Sequence, residues 1–199
     1  MSTLEAYAAA MEVCDPDLGE HAARVSATGV AIARRLDWDE ARIRDLELGA
    51  ALHDVGEVTI RPGVLEKPGR LNSAEVAVIR AHPVEGAWLI AGIRSLHAAM
   101  PYVLFHHERW DGEGYPTRRA GTEIPVEGRV LAVADAFDAM TSDRPYRAAL
   151  TQDAAVDEVL RCSGTQFDPS IVEAFLAVVE AGETTAVTCA KPVTVTAPR

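Results

Sequence analysis

Asp39-Glu40-Ala41-Arg42-Ile43-Arg44-Asp45-Leu46-Glu47-Leu48-Gly49-Ala50-Ala51-Leu52-His53-Asp54-Val55-Gly56 is the stretch whose reading decides the fold. Ile43, Leu46 and Ala50 recur at spacings of three and four, the stripe of an amphipathic helix, and Gly56 is a plausible stop. His53 follows Ala50 by three residues and Asp54 by four. Helical spacing therefore sends both towards the buried side. Two ionisable groups on the inward face of a helix need a partner, because burying them alone costs heavily in desolvation.

The same periodicity extends in both directions. Val25, Ile32 and Leu36 share a face between Gly19 and Leu36, with His21 four residues before Val25. Asn72 with Glu75 reads as a capping box opening a helix from Ser73 to about His82. Pro83 interrupts the ladder there, and a further helix is expected from Val84 to Ile93. Val103 to Arg109 reads as helix, placing His106 and His107 towards its apolar face. Glu127 to Met140 carries Asp135 and Asp138 side by side at i, i+3. Two more helices are expected near Gln152 to Cys162 and Pro169 to Ala181. Strand alternation is scarce, so the chain reads as an all-α bundle. Gly- and Pro-rich loops span Gly56 to Leu71 and Asp111 to Pro125, where substrate contacts commonly lie.

The chain has 199 residues, 48% of them hydrophobic, which suits one domain with short extensions. We expect an N-terminal helical extension over 1–14, the domain over 15–183 and a tail over 184–199. The tail is open between a strand, a docked extension and a mobile end. No run of about 18 apolar residues and no secretion signal is visible, so a cytoplasmic protein away from membranes is the default. Cys14, Cys162 and Cys189 offer no zinc spacing. The net charge of −11 argues against binding nucleic-acid polymers.

His21, His53, Asp54, His82, His106, His107 and Asp135 thus converge on the inner faces of several helices, using five of the six histidines. A divalent ion offsets such burial by binding neutral imidazole and ionised carboxylate. The mixed nitrogen and oxygen set suits iron, manganese, zinc or nickel better than magnesium or calcium. Seven candidates exceed the four ligands of a simple zinc site and fit two metals sharing a carboxylate. Two such metals can activate water and neutralise a phosphoryl group, which is phosphate-ester hydrolysis.

The motifs resemble the HD-GYP subgroup of the HD superfamily of metal-dependent phosphohydrolases. They are His53-Asp54-Val55-Gly56, Lys67-Pro68-Gly69-Arg70-Leu71, His82-Pro83-Val84-Glu85-Gly86, His106 through Pro116 with its Gly114-Tyr115-Pro116 core, and Ala134 through Arg147. The resemblance covers roughly Asp15 to Ala181. It implies an HD-domain helical bundle with a buried site for two or three metals, iron or manganese first, and hydrolysis of cyclic di-GMP to the linear dinucleotide pGpG or to GMP. It implies metal roles for the seven residues above, with Asp54 as the bridge and Asp54 and Asp135 at the chemistry. It implies substrate contacts for Tyr115, Arg144 and Arg147; for the two arginines, ion pairing at a helix end with Asp143 or Asp138 is the plain alternative. Asp17 stands where some members place a glutamate for a third metal, and an ordinary loop or N-cap role is the favoured reading for it. Asp138 is expected to orient a ligand. A protein partner at the Gly114-Tyr115-Pro116 loop and a homodimer stay open.

One departure matters. The family pattern His-Asp-x-Gly-Lys ends here in Glu57, where the lysine would meet the scissile phosphate. Glu57 points to solvent while Arg61 or Arg70 supplies the charge, or it binds a further metal, or the site binds nucleotide without efficient turnover. Losing one such charge typically costs about 100- to 1,000-fold in rate. The alternative reading is therefore a weakly active or inactive module that regulates by binding.

Overall fold

The structure is a computed structural model, and it describes residues 16–65, 67, 69–143 and 148–184. The expected extension over 1–14 and the tail beyond Thr184 lie outside those residues. Among the described residues the regular structure is helical: α1 (Pro16–Arg35), α2 (Glu40–Leu52), a 3-10 turn (Val55–Thr59), α3 (Pro62–Leu65), α4 (Ser73–Ile79), α5 (His82–Ala91), a 3-10 turn (Arg94–Ala99), α6 (Met100–Phe105), a 3-10 turn (Gly121–Glu123), α7 (Val126–Thr141), α8 (Gln152–Arg161) and α9 (Pro169–Glu180). None of these helices is long and apolar enough to cross a membrane.

Local chemistry starts the helices where the sequence signals it. Asp39 caps α2 by accepting from the Arg42 backbone N–H at 2.8 Å. Asn72 and Glu75 form the reciprocal capping box of α4. The helix expected to reach His82 stops at Ile79 instead, and α5 begins at His82 rather than Val84. Pro83 is the reason: it is disfavoured inside a helix but tolerated in the first turn, where its missing N–H would be unpaired anyway.

The larger core packs α1 and α2 against α7, α8 and α9, through Val25, Ile32, Leu46, Val130, Phe137 and Phe175 among others. A smaller cluster joins Leu52, Val55, Ile90, Leu96, Ala99 and Val103. Helix α2 contributes Ile43, Leu46 and Ala50 to the first and Leu52 to the second, so its C-terminal end is fixed from both sides. His53 and Asp54 leave the chain at that fixed end.

Candidate metal centre

The α-helix over the opening stretch ends at Leu52, three residues short of the expected Val55, and His53 is its C-cap. Asp54 then precedes the 3-10 turn. His53 and Asp54 face inward because a helix stops there, not because its stripe continues. His106 likewise caps α6, which ends at Phe105 rather than reaching Arg109, and His82 opens α5. Each ring is fixed through Nδ1. His53 Nδ1 donates to Ala50 O at 2.8 Å, His82 Nδ1 to Ile79 O at 2.8 Å, and His106 Nδ1 to Tyr102 O and Val103 O at 3.0 Å. A carbonyl only accepts, so Nδ1 carries the proton and Nε2 turns its lone pair inward.

Asp54 stands at the hub. Its Oδ2 lies 3.1 Å from His53 Nε2 and 3.9 Å from His21 Nε2. Its Oδ1 lies 3.3 Å from His82 Nε2 and 3.5 Å from His106 Nε2. The two oxygens of one carboxylate thus face two separate pairs of imidazoles. His21 Nε2 is also 3.5 Å from Asp135 Oδ1. His107 completes one donor group with Asp54, His82 and His106, while His21, His53 and Asp54 form the other.

The donor set fits divalent cations. His21 and His53 approach Nε2 to Nε2 at 3.3 Å, and His82 and His106 at 3.2 Å. With Nδ1 protonated on His53, His82 and His106, two lone pairs at that distance repel unless a proton or cation lies between them. Two imidazole nitrogens held by one ion at about 2.1 Å sit about 3.0 Å apart at a right angle and about 3.4 Å apart in a tetrahedron. The observed spacings fall within that span.

Proton affinities carry the same message. Burial alone would raise the Asp54 carboxyl, but His53, His106 and His82 hold it well below the usual carboxylate range. Burial opposes charge on His53 too, yet Asp54 lifts it to about 10. His82 is also raised, with Asp54 outweighing burial. His106 is lowered by burial, and His107 falls to about 2 through burial and then repulsion from His106. One carboxylate holds extra protons on two imidazoles but not on four. A divalent cation, were one bound, would take the place of those protons.

His21 comes from α1 and is held from behind. Its Nδ1 donates to Asp138 Oδ2 at 2.7 Å. Asp138 in turn accepts from Arg24 Nε at 2.5 Å, and His21 and Arg24 together hold its carboxyl below the ordinary range despite burial. Arg24 lies three residues after His21, and no sequence signal singled it out.

The segment after the histidine pair folds back over the centre. Tyr115 stacks on the His107 ring, 4.8 Å between centroids at 29°, and the Tyr115–Pro116 peptide is cis. Glu108, only 3% exposed, anchors the turn. Its Oε1 accepts from Thr117 N at 2.6 Å, Thr117 Oγ1 at 2.7 Å and Arg118 N at 3.1 Å. Gly114 is obligatory here, since a Cβ would fall 2.4 Å from the Arg109 backbone nitrogen. The turn borders a cleft of 290 Å³ that reaches His106, His107 and Asp135.

Glu57 sits on the 3-10 turn rather than on a continued α-helix. It is half-buried, and burial together with Asp54 pushes its carboxyl up to about 7. It therefore stands within electrostatic reach of the centre. Arg144, Arg147 and the side chain of Asp17 lie outside the described residues; the Asp17 backbone belongs to the first turn of α1.

A family model described as HD domain matches residues 7–171. The cyclic di-GMP phosphodiesterase response regulator RpfG of Xanthomonas campestris pv. campestris is 40% identical over 176 residues, covering 87% of this chain and 47% of that relative. A cyclic di-GMP phosphodiesterase of Vibrio cholerae is 46% identical over 147 residues, covering 70% of this chain and 30% of that relative. A solved structure, the V. cholerae cyclic GMP-AMP-specific phosphodiesterase V-cGAP3, shares the fold with a TM-score of 0.62 at 23% identity, covering 81% of this chain and 44% of that one. The chain spans about half the length of the first relative and less of the second. The match over residues 7–171 shows that the chain belongs to the HD domain family, and its motifs resemble those of the HD-GYP subgroup.

Proposed function

We propose that this chain is a cytoplasmic, metal-dependent phosphodiesterase that hydrolyses cyclic di-GMP to pGpG, GMP or both. The observation that carries the reading is the division of Asp54, one oxygen towards His21 and His53 and the other towards His82 and His106. That arrangement supports two cations, iron or manganese first, joined by one carboxylate. His107 serves one of them and Asp135 the His21 side. Asp17 would serve a third ion. When bound, the cations supply Lewis acidity that activates water and neutralises phosphoryl charge.

The chain's own residues do the rest. Asp138 and Arg24 fix the tautomer and direction of His21. Tyr115, stacked on His107, offers a ring edge and hydroxyl to the substrate. Arg144 and Arg147 supply forked donors to phosphate or a guanine edge. Asp54 and Asp135 are the carboxylates nearest the chemistry, and Glu57 lies within electrostatic reach of Asp54.

Glu57 favours a second reading. A carboxylate in place of the family lysine suits a module that binds cyclic di-GMP, or a protein partner at the Gly114-Tyr115-Pro116 turn, with little turnover. Metal-loaded protein incubated with cyclic di-GMP separates the two. Linear product supports the enzyme; bound nucleotide with no product supports the regulator. Metal content that survives His53→Ala with Asp54→Ala defeats the assignment of the centre.

A further inference from the structure

The cleft beside the centre brings cationic side chains to its wall in an unequal way. Arg109 is one, but its guanidinium is committed: Nε donates to Asp111 Oδ1 at 3.0 Å, Nη2 to Asp111 Oδ2 at 2.6 Å, and Nη1 to Gln166 Oε1 at 3.2 Å. Arg80 is the other. It is exposed at the C-cap of α4, two residues before His82. Among the described residues no carboxylate lies within ion-pair distance of it. Its guanidinium instead sits over the Tyr115 ring, 5.2 Å from the centroid. Tyr115 in turn stacks on His107, so Arg80 is linked to the centre through a single aromatic ring.

This geometry leaves the donors of Arg80 available. A guanidinium lying over an aromatic ring uses one face, and its N–H groups radiate in its own plane. Those donors match a phosphate held at the mouth of the cleft. The need is plain: the chain carries a net charge of −11, acidic side chains including Asp135 and Glu113 line the same cleft, and Glu57 adds a carboxyl where a cation is expected. Arg61 and Arg70, the cations expected from sequence to compensate, do not line it.

We propose that Arg80, braced on Tyr115, is a phosphate-binding residue of this site and supplies the positive charge that position 57 does not. The assignment rests on the cyclic dinucleotide reading above. It makes Arg80 a binding determinant that the sequence motifs do not mark.

The test uses the metal-loaded full chain and a phosphorothioate analogue of cyclic di-GMP that resists hydrolysis, with binding read by calorimetry. Arg80→Gln should weaken binding about 10-fold, and Arg80→Lys should restore it to within about threefold of wild type. Wild-type affinity should fall more steeply with added salt than that of Arg80→Gln. Metal content and thermal midpoint should be the same in all three. A wild type that binds while Arg80→Gln binds within about twofold of it overturns the Arg80 assignment alone. So does a lysine variant as weak as the glutamine variant, because charge is then not what Arg80 contributes. A wild type that takes up metal but binds no analogue overturns the substrate reading, and Arg80 with it.

Discussion

Asp138 and His21 are 117 residues apart in sequence, and their side chains meet at 2.7 Å, Nδ1 to Oδ2. Arg24 holds the other carboxylate oxygen. The carboxylate keeps the proton on Nδ1 and leaves Nε2 facing His53 and Asp135. Asp138→Asn should therefore weaken metal binding on the His21 side by about 10- to 100-fold while the fold is retained. Competition with a metal-sensitive chelator measures this; unchanged affinity would show that Asp138 serves Arg24 and not the centre.

Glu108 separates turn geometry from metal binding. Removing its buried carboxylate takes away the one acceptor shared by the Thr117 and Arg118 donors and leaves a void beneath the turn. Glu108→Ala should cost roughly 2–4 kcal/mol in urea unfolding. It should also release the Tyr115 ring from His107, so cyclic di-GMP binding should drop while metal content stays near wild type. Loss of metal along with nucleotide binding would mean that the turn and the centre form one unit.

Gly56 sets the approach of α5 to the Asp54 turn. A Cβ at this position would lie 2.0 Å from His82 O and 2.6 Å from Gly86 N, both of them backbone atoms. Gly56→Ala must push His82 away from Asp54. We expect at least about 3 kcal/mol of destabilisation and loss of any cation that His82 and His106 would hold, read by elemental analysis after gel filtration.

Glu57 predicts a pH dependence in the metal-free protein. Burial and then Asp54 raise its folded-state carboxyl to about 7, well above the ordinary glutamate range. A raised pKa means that the contribution of this group is fully present below the unfolded value and is lost as pH rises through the folded one. Between pH 5 and pH 8 the wild type should thus lose roughly 1–2 kcal/mol relative to Glu57→Gln, after allowance for its partial exposure. Urea titrations of both proteins in chelator give the difference, and parallel pH profiles would place Glu57 away from Asp54.

Much of this was legible because the signals are local. The α2 stripe and the Asn72 and Glu75 capping box are each readable within a few residues, and the five histidines stand out by type although they are spread from position 21 to 107; the structure brings the candidates among its described side chains to one place. Periodicity points His53 and Asp54 inward on a continuing helix, whereas the helix ends at Leu52 and its termination directs them. Arg24, Glu108 and Arg80 escaped notice for another reason. The Arg24 partner is 114 residues away, and the Arg80 partner belongs to a turn beyond two further helices. Single charged residues on a helix, at a helix end or in a turn carry no periodic mark of such pairings.

His53, His82 and His106 each give an Nδ1 proton to a carbonyl in the last turn of a preceding helix, where the backbone has run out of donors of its own. Histidine at these places is punctuation as well as a candidate ligand. The same ring closes a helix end and turns a nitrogen towards Asp54, so an alanine at any of the three should fray a helix and remove a donor in one stroke.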